Sequence, residues 1–303
     1  MNPAWSVVFL TTLIGAGQGL VLALFAAELA GYGADDAARG FLVQGAAVAV
    51  VLAAAGLAAS FFHLGRPERA WRSAAMWRTS WLSREVIALP AFIAATAAWA
   101  AALLWAPDIA VLIGLVAALA ALALYLCTAM VYASLRFLQE WASPLTVANF
   151  ALLGLASGAT LASALAAAGA PSLRRGLVTA ALVLTTLGAV SRALSLWRNA
   201  RLVPRSTLQS AIGIRHPRIR QIAQGFTGGS FNTREFFHGA SPGRLRGVKW
   251  FFLAVAFALP LALLALALPA PAFVVQFGGL LAERWFFLAQ ARHPQNLYYQ
   301  AVS

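Results

Sequence analysis

Apolar residues in this chain come in long blocks rather than at the two-residue or 3.6-residue spacing of a half-buried element. Eight blocks lie near 4–31, 41–62, 81–105, 109–135, 144–168, 175–197, 248–268 and 271–290. Each has the roughly 20 residues that a helix rising about 1.5 Å per residue needs to cross the hydrocarbon core. Ala, Leu and Val dominate them, without the alternation over roughly ten residues of a membrane barrel strand. The fold this predicts is an all-α integral membrane protein, a bundle of eight transmembrane helices. The first block is longer than needed, so its last turn is expected in the interface. The last two are divided only by Pro269, Ala270 and Pro271. An unbroken segment would be about twice the length of one span, so a turn is expected at the two prolines.

Composition agrees. The 303 residues are 61% hydrophobic and 10% charged, against about 25% charged in soluble domains. Such a chain cannot cover a water-facing surface, and it is too apolar to be disordered. One membrane domain, 1–303, is expected, with a single long extramembrane stretch at 198–247. No cleavable signal peptide is expected, because the opening MNPAWSVVF has no basic residue.

Charge orients the bundle. With eight spans, one side collects both termini, the connections at 63–80 and 136–143, the 198–247 segment and the helix ends beside them. All but three of the 22 Lys and Arg fall there; Arg39, Arg174 and Arg175 fall opposite. Basic residues mark the cytoplasmic side. The chain is therefore read as a multi-pass protein of the inner (cytoplasmic) membrane, with its termini and long loop in the cytoplasm. The net charge of +13 is explained by this one-sided enrichment and by anionic lipid, not by nucleic acid.

Redox cofactors held by this chain are narrowed by its ligands. Cys127 is the one cysteine, so a four-thiolate iron–sulfur cluster cannot be built here, nor a haem attached through CxxCH. Of His63, His216, His238 and His293, only His63 borders a span, so the facing histidine pair of a membrane b-type haem is not expected.

Two stretches need more than a solubilising role. The 198–247 segment is basic, broken by Gly and Pro, and longer than a connection requires. Its phrase FTGGSFNTREFFHG carries aromatics, which suits a docking surface for a partner better than a solvated lid. The stretch FFHLGRPERAWRSAAMWRTSWLSRE, residues 61–85, leaves span 2 and enters span 3. Arg66, Arg69 and Arg72 recur every three residues, as on one face of a short interfacial helix opened by Pro67. Trp71, Trp77 and Trp81 suit an interfacial belt. That belt, with snorkelling arginines, explains most of the stretch but not a histidine beside Gly65. An imidazole at the boundary can donate a hydrogen bond to a quinone carbonyl and move a proton near neutral pH. Gly65 would let the ring approach the backbone. Arg66 or Arg69 would stabilise negative charge developing on the ring. Ser83 and Glu85 stand at the start of span 3, where an acid is favoured. The candidate quinone site is thus His63, Gly65, Arg66, Arg69, Ser83 and Glu85. A transporter would instead need broken helices and polar groups at mid-membrane; only Gln18, Gln44 and Gln276 are found there, with no charged pair.

His63-Leu64-Gly65 with Pro67 and Arg69-Ala70, the run Ser80–Glu85 (SWLSRE), Gly17-Gln18-Gly19 and GLLAERWFF at 279–287 resemble the membrane-anchor family of dimethyl-sulfoxide-reductase-type complexes, the DmsC type. The resemblance implies a haem-free anchor that holds an iron–sulfur electron-transfer subunit and a molybdopterin catalytic subunit and exchanges electrons with the quinone pool. It places His63 near the quinone and gives Glu283 a proton or quinone-pocket role, with a plain ion pair as the alternative. SFNTREFFHG in the loop resembles instead the anchors of cytoplasmic sulfite dehydrogenases, which implies sulfite oxidation with quinone reduction. Quinol oxidation for a sulfoxide reductase is the alternative.

Overall fold

A computed structural model of the chain describes residues 1–62, 64–222 and 235–298. Among the described residues, eight helices are long and apolar enough to cross a membrane: α1 (Trp5–Leu29), α2 (Asp36–Phe61), α3 (Trp81–Trp105), α4 (Pro107–Ala133), α5 (Pro144–Gly169), α6 (Pro171–Ala200), α7 (Pro242–Ala265) and α8 (Pro269–Ala289). Their starts are written in local chemistry. Asp35 caps α2 by accepting from Ala38 N–H at 2.7 Å, and Ser80, Ser143 and Ser241 cap α3, α5 and α7 in the same way. Pro107, Pro144, Pro171, Pro242 and Pro269 stand in the first turn of their helices, where the missing N–H has no partner to lose.

The last two spans are separate, but the turn falls at Leu266–Leu268, just before the prolines. Ala267 takes a positive φ of 57°, and Leu268 N–H closes back on Leu263 O at 2.8 Å. Pro269 does not make the turn; it opens α8. Pro260 marks α7 differently. It cannot donate to the preceding turn, and residues Ala254–Ala258 before it widen into a π-helical turn. That turn lies against Gly279 of α8, where a Cβ would come within 2.3 Å of Ala256 N.

Helices α1 and α5 are the inner pair. α1 packs on α2, α4, α5 and α8, and α5 packs on α1, α4, α6 and α8. Glycines let the two backbones touch: a Cβ on Gly19 would lie 2.2 Å from Gly154 O, and one on Gly158 would lie 2.1 Å from Gly19 C. Close backbone approach is what holds helices together where lipid removes the hydrophobic drive between them. In α4 the small residues Ala110, Gly114, Ala117 and Ala121 face inward, while Leu112, Leu115, Leu119 and Leu122 face out. That inversion suits a hydrocarbon solvent.

At the end that collects the termini, the connections are tied to one another. Arg198 Nη2 donates to Gln139 O at 3.0 Å, and Arg205 N–H to Gln139 Oε1 at 3.1 Å. The Met1 amino group donates to Ala291 O at 2.8 Å, and Asn296 Nδ2 to Phe236 O at 2.9 Å. The connection between α6 and α7 spans 201–241, and most of FTGGSFNTREFFHG lies outside the described residues.

Candidate functional site

The predicted quinone residues sit where α2 ends and α3 begins. α2 stops at Phe61, and Leu64 N–H returns to Phe61 O at 3.2 Å. His63 lies outside the described residues. Gly65 is exposed, with open space where a Cβ would be. Arg66 is the N-cap of a 3₁₀ helix, Pro67–Ala74, in which residues three apart eclipse. The spacing of the arginines is thus met by a 3₁₀ turn, with Arg69 and Arg72 on one edge. Both are exposed, and Arg69 lies 3.9 Å from the equally exposed Glu68. Phe62, Trp71, Met76 and Trp77 are also exposed, so the stretch presents an aromatic and basic surface.

α3 then carries the site inward. Arg84, which the sequence did not single out, donates to Trp77 O at 2.9 Å and Arg78 O at 2.8 Å and covers the Trp81 ring at 4.2 Å. It fastens the turn that follows the 3₁₀ helix onto α3. Ser83 and Glu85 are buried. Glu85 accepts a 2.8 Å hydrogen bond from Thr128 Oγ1 on α4. Four residues into α3, it lies about 6 Å inside the helix end at a rise of 1.5 Å per residue. A buried carboxyl with one hydroxyl partner, one turn inside the helix end, is a group that can accept or release a proton.

Glu283 stands elsewhere. α8 packs on α1, α5 and α7, whereas α3 packs on α2 and α4. Glu283 Oε1 is 2.7 Å from Arg192 Nε of α6, and Oε2 is 3.6 Å from Arg284 Nη1. All three side chains are buried. At 2.7 Å the Arg192–Glu283 contact is a close, buried ion pair, and Arg284 is the looser partner. Arg192 covers Phe252 and Phe286 at 5.5 and 5.9 Å, and Arg284 lies 3.9 Å over Phe150. Arg192, counted with the basic helix ends, is buried in the bundle, and the contact Glu283 makes is an ion pair, the alternative given for it. Removing Arg192 and Arg284 from the tally leaves the basic residues still heavily on one side. The signal for Arg192 was present in α6: Thr185, Gly188, Arg192 and Ser195 share one face at helical spacing.

Between the two places lies an aromatic block. Tyr132 stacks on Phe150 at 5.4 Å and meets Trp141 and Phe287 at 5.2 and 5.3 Å. Among the described residues, no three of His, Cys, Asp and Glu gather as a metal-holding group.

The family model for the DMSO reductase anchor subunit (DmsC) matches residues 1–281. The chain belongs to this family. As a DmsC-type protein it is the membrane anchor subunit of an oxidoreductase complex. The match includes the 61–85 stretch and stops just short of Glu283. The anchor is also 52% identical, over the full length of both chains, to a protein of Allochromatium vinosum named as a subunit of sulfite dehydrogenase.

Proposed function

We propose that this anchor joins a molybdopterin catalytic subunit and an iron–sulfur subunit to the membrane and passes electrons from sulfite to quinone. The full-length identity with a sulfite dehydrogenase subunit carries the choice of sulfite. The buried Glu85 at the start of α3, following in the chain on the exposed aromatic and basic α2–α3 junction, supports the quinone site. Basic connections gathered on one side orient that junction, the termini and the 201–241 loop to the cytoplasm, where the partner subunits dock.

Oxidation of sulfite with water yields sulfate, two electrons and two protons. Quinone takes up two electrons and two protons to become quinol. The junction is at the water boundary, so protons need no long route. His63 donates a hydrogen bond to one carbonyl and helps deliver a proton. Glu85, steadied by Thr128, serves the second. Arg66 or Arg69 balances negative charge on the ring during reduction, strongly so where water is scarce. Gly65 leaves room against the backbone. The family's own description as a reductase anchor favours the reverse flow, quinol oxidation, through the same residues.

His63→Ala and Glu85→Gln test this in membranes holding the full complex. Sulfite-dependent reduction of a soluble acceptor should persist, while reduction of a quinone analogue falls about tenfold or more, the scale of a positioned proton-transfer group. Quinone reduction at the wild-type rate in both variants removes the site. Reduction of a sulfoxide without any response to sulfite removes the substrate and keeps the anchor.

A further inference from the structure

The two halves of the bundle differ in how their buried polar groups are paired. Along α5, α6 and α8 runs a seam of Asn149, Ser191, Arg192, Ser195, Gln276, Glu283 and Gln290. Some contacts within it are made: Asn149 Nδ2 donates to Ser195 Oγ at 2.6 Å, and Gln276 Nε2 to Thr185 Oγ1 at 3.0 Å. Many are not. Asn149 Oδ1, Ser191 Oγ, Arg192 Nη2, Gln276 Oε1, Arg284 Nη1 and Gln290 Nε2 are buried without a hydrogen bond. In α1–α4, among the described residues, Thr96 Oγ1 alone is left so.

An unpaired buried polar atom costs roughly 1–3 kcal/mol, and more when charged. Native proteins hold few of them unless water serves as partner. The unpaired atoms here are not scattered. They recur on three facing helices and end in the cluster of Arg192, Glu283 and Arg284, which carries one net positive charge inside the membrane. Beside Arg284 lies a void of about 10 Å³, walled partly by Thr11, Thr12 and Ser157. That is about the room that one water needs. It is too small for a quinone or an acyl chain.

The seam also has a mouth. A cleft of about 1520 Å³ opens among the connections at the basic end of the bundle, and Asn199 and Gln290 are in its wall. Each lies seven residues, two helical turns, from its seam partner, Arg192 on α6 and Glu283 on α8.

We propose that the α5–α6–α8 seam is a water-filled access path from this cleft to the Arg192–Glu283–Arg284 cluster. The ligand is water, held in a chain by side-chain amides, hydroxyls and guanidinium groups. It keeps the three charges solvated within the bundle and puts Glu283 in contact with solvent. The α2–α4 side, where Thr96 Oγ1 alone among the described residues is left unpaired, stays dry. This is independent of where quinone binds.

Water-radiolysis footprinting of the whole complex in lipid nanodiscs tests it, because hydroxyl radicals formed from internal water modify adjacent side chains. Phe252 and Leu153 report on the seam. Phe92 and Leu42, equally buried in the other half, report on a dry core. The path requires Phe252 and Leu153 to be modified several-fold faster than Phe92 and Leu42. It also requires Asn199→Leu with Gln290→Leu at the mouth to bring the seam rates down. Equal rates at the four positions in the wild-type complex overturn the proposal without recourse to any variant. Fast seam modification that the mouth variant leaves unchanged, in a complex of normal subunit ratio, means trapped water and overturns the connection to the cleft.

Discussion

Thr128 of α4 donates a 2.8 Å hydrogen bond to Glu85 of α3, and the two helices are thereby joined beneath the α2–α3 junction. A hydrogen bond to a charged group contributes about 1.5–3 kcal/mol. Thr128→Val keeps the shape and removes the donor. Quinone-analogue reduction should weaken in Thr128→Val, while sulfite oxidation with a soluble acceptor stays as it was. Steady-state rates with the two acceptors on the same membranes decide it, and equal loss with both would assign Thr128 to assembly instead.

The ion cluster of the second half predicts non-additivity. Removing one partner of a buried charge pair costs about 3–5 kcal/mol, because the other charge is left alone. Arg192→Met should lower the unfolding temperature of the purified complex sharply. Adding Glu283→Leu should recover part of the loss, since both charges then leave together. Losses that simply add would show that the two side chains are energetically independent.

Backbone contact between α1 and α5 predicts a steep size limit. Gly158→Val should prevent accumulation of the folded anchor, since even its Cβ meets Gly19 at 2.1 Å. Gly278→Ala, with nothing within 4 Å of the added atom, should be tolerated. Membrane levels of the two variants, read by immunoblot, check this, and equal levels would contradict the close approach.

The order of the basic-end connections should depend on pH. His293 stacks on Phe236 at 3.8 Å. Burial, then the Met1 ammonium, lowers its pKa below the ordinary 6.5, and His238 is lowered for the same reasons. A histidine lowered in the folded state favours folding most above its unfolded pKa, and that contribution is lost as pH falls below about 6.5. Proteolysis within 235–246 and 291–298 should therefore quicken between pH 7.5 and 5.5. His293→Phe, which keeps a stacked ring without a proton to gain, should flatten the response. An unchanged pH response in His293→Phe would remove His293 from it.

The spans were legible because a hydrocarbon core demands a length, and apolar blocks of that length are visible without knowing any contact. The α7–α8 turn was legible in kind but displaced, because Pro269 is as acceptable at the start of a helix as in a turn, and Ala267 gives no sign of its positive φ. The Arg192–Glu283 pair was not legible as a pair. Its members are distant in sequence, and Arg192 stands close enough to Arg198 and Arg201 to read as one more basic helix end. Glu85 was legible as an acid at the start of span 3, but its partner Thr128 was hidden among the apolar residues of α4.

Photolabelling locates the quinone directly. The intact complex in membranes is irradiated with an azidoquinone, and the labelled peptides of the anchor are sequenced. Quinone reaction at the α2–α3 junction requires label within 61–85, suppressed by excess unlabelled quinone and reduced in Glu85→Gln. Competable label confined to α5–α8, with 61–85 unmodified, would contradict it.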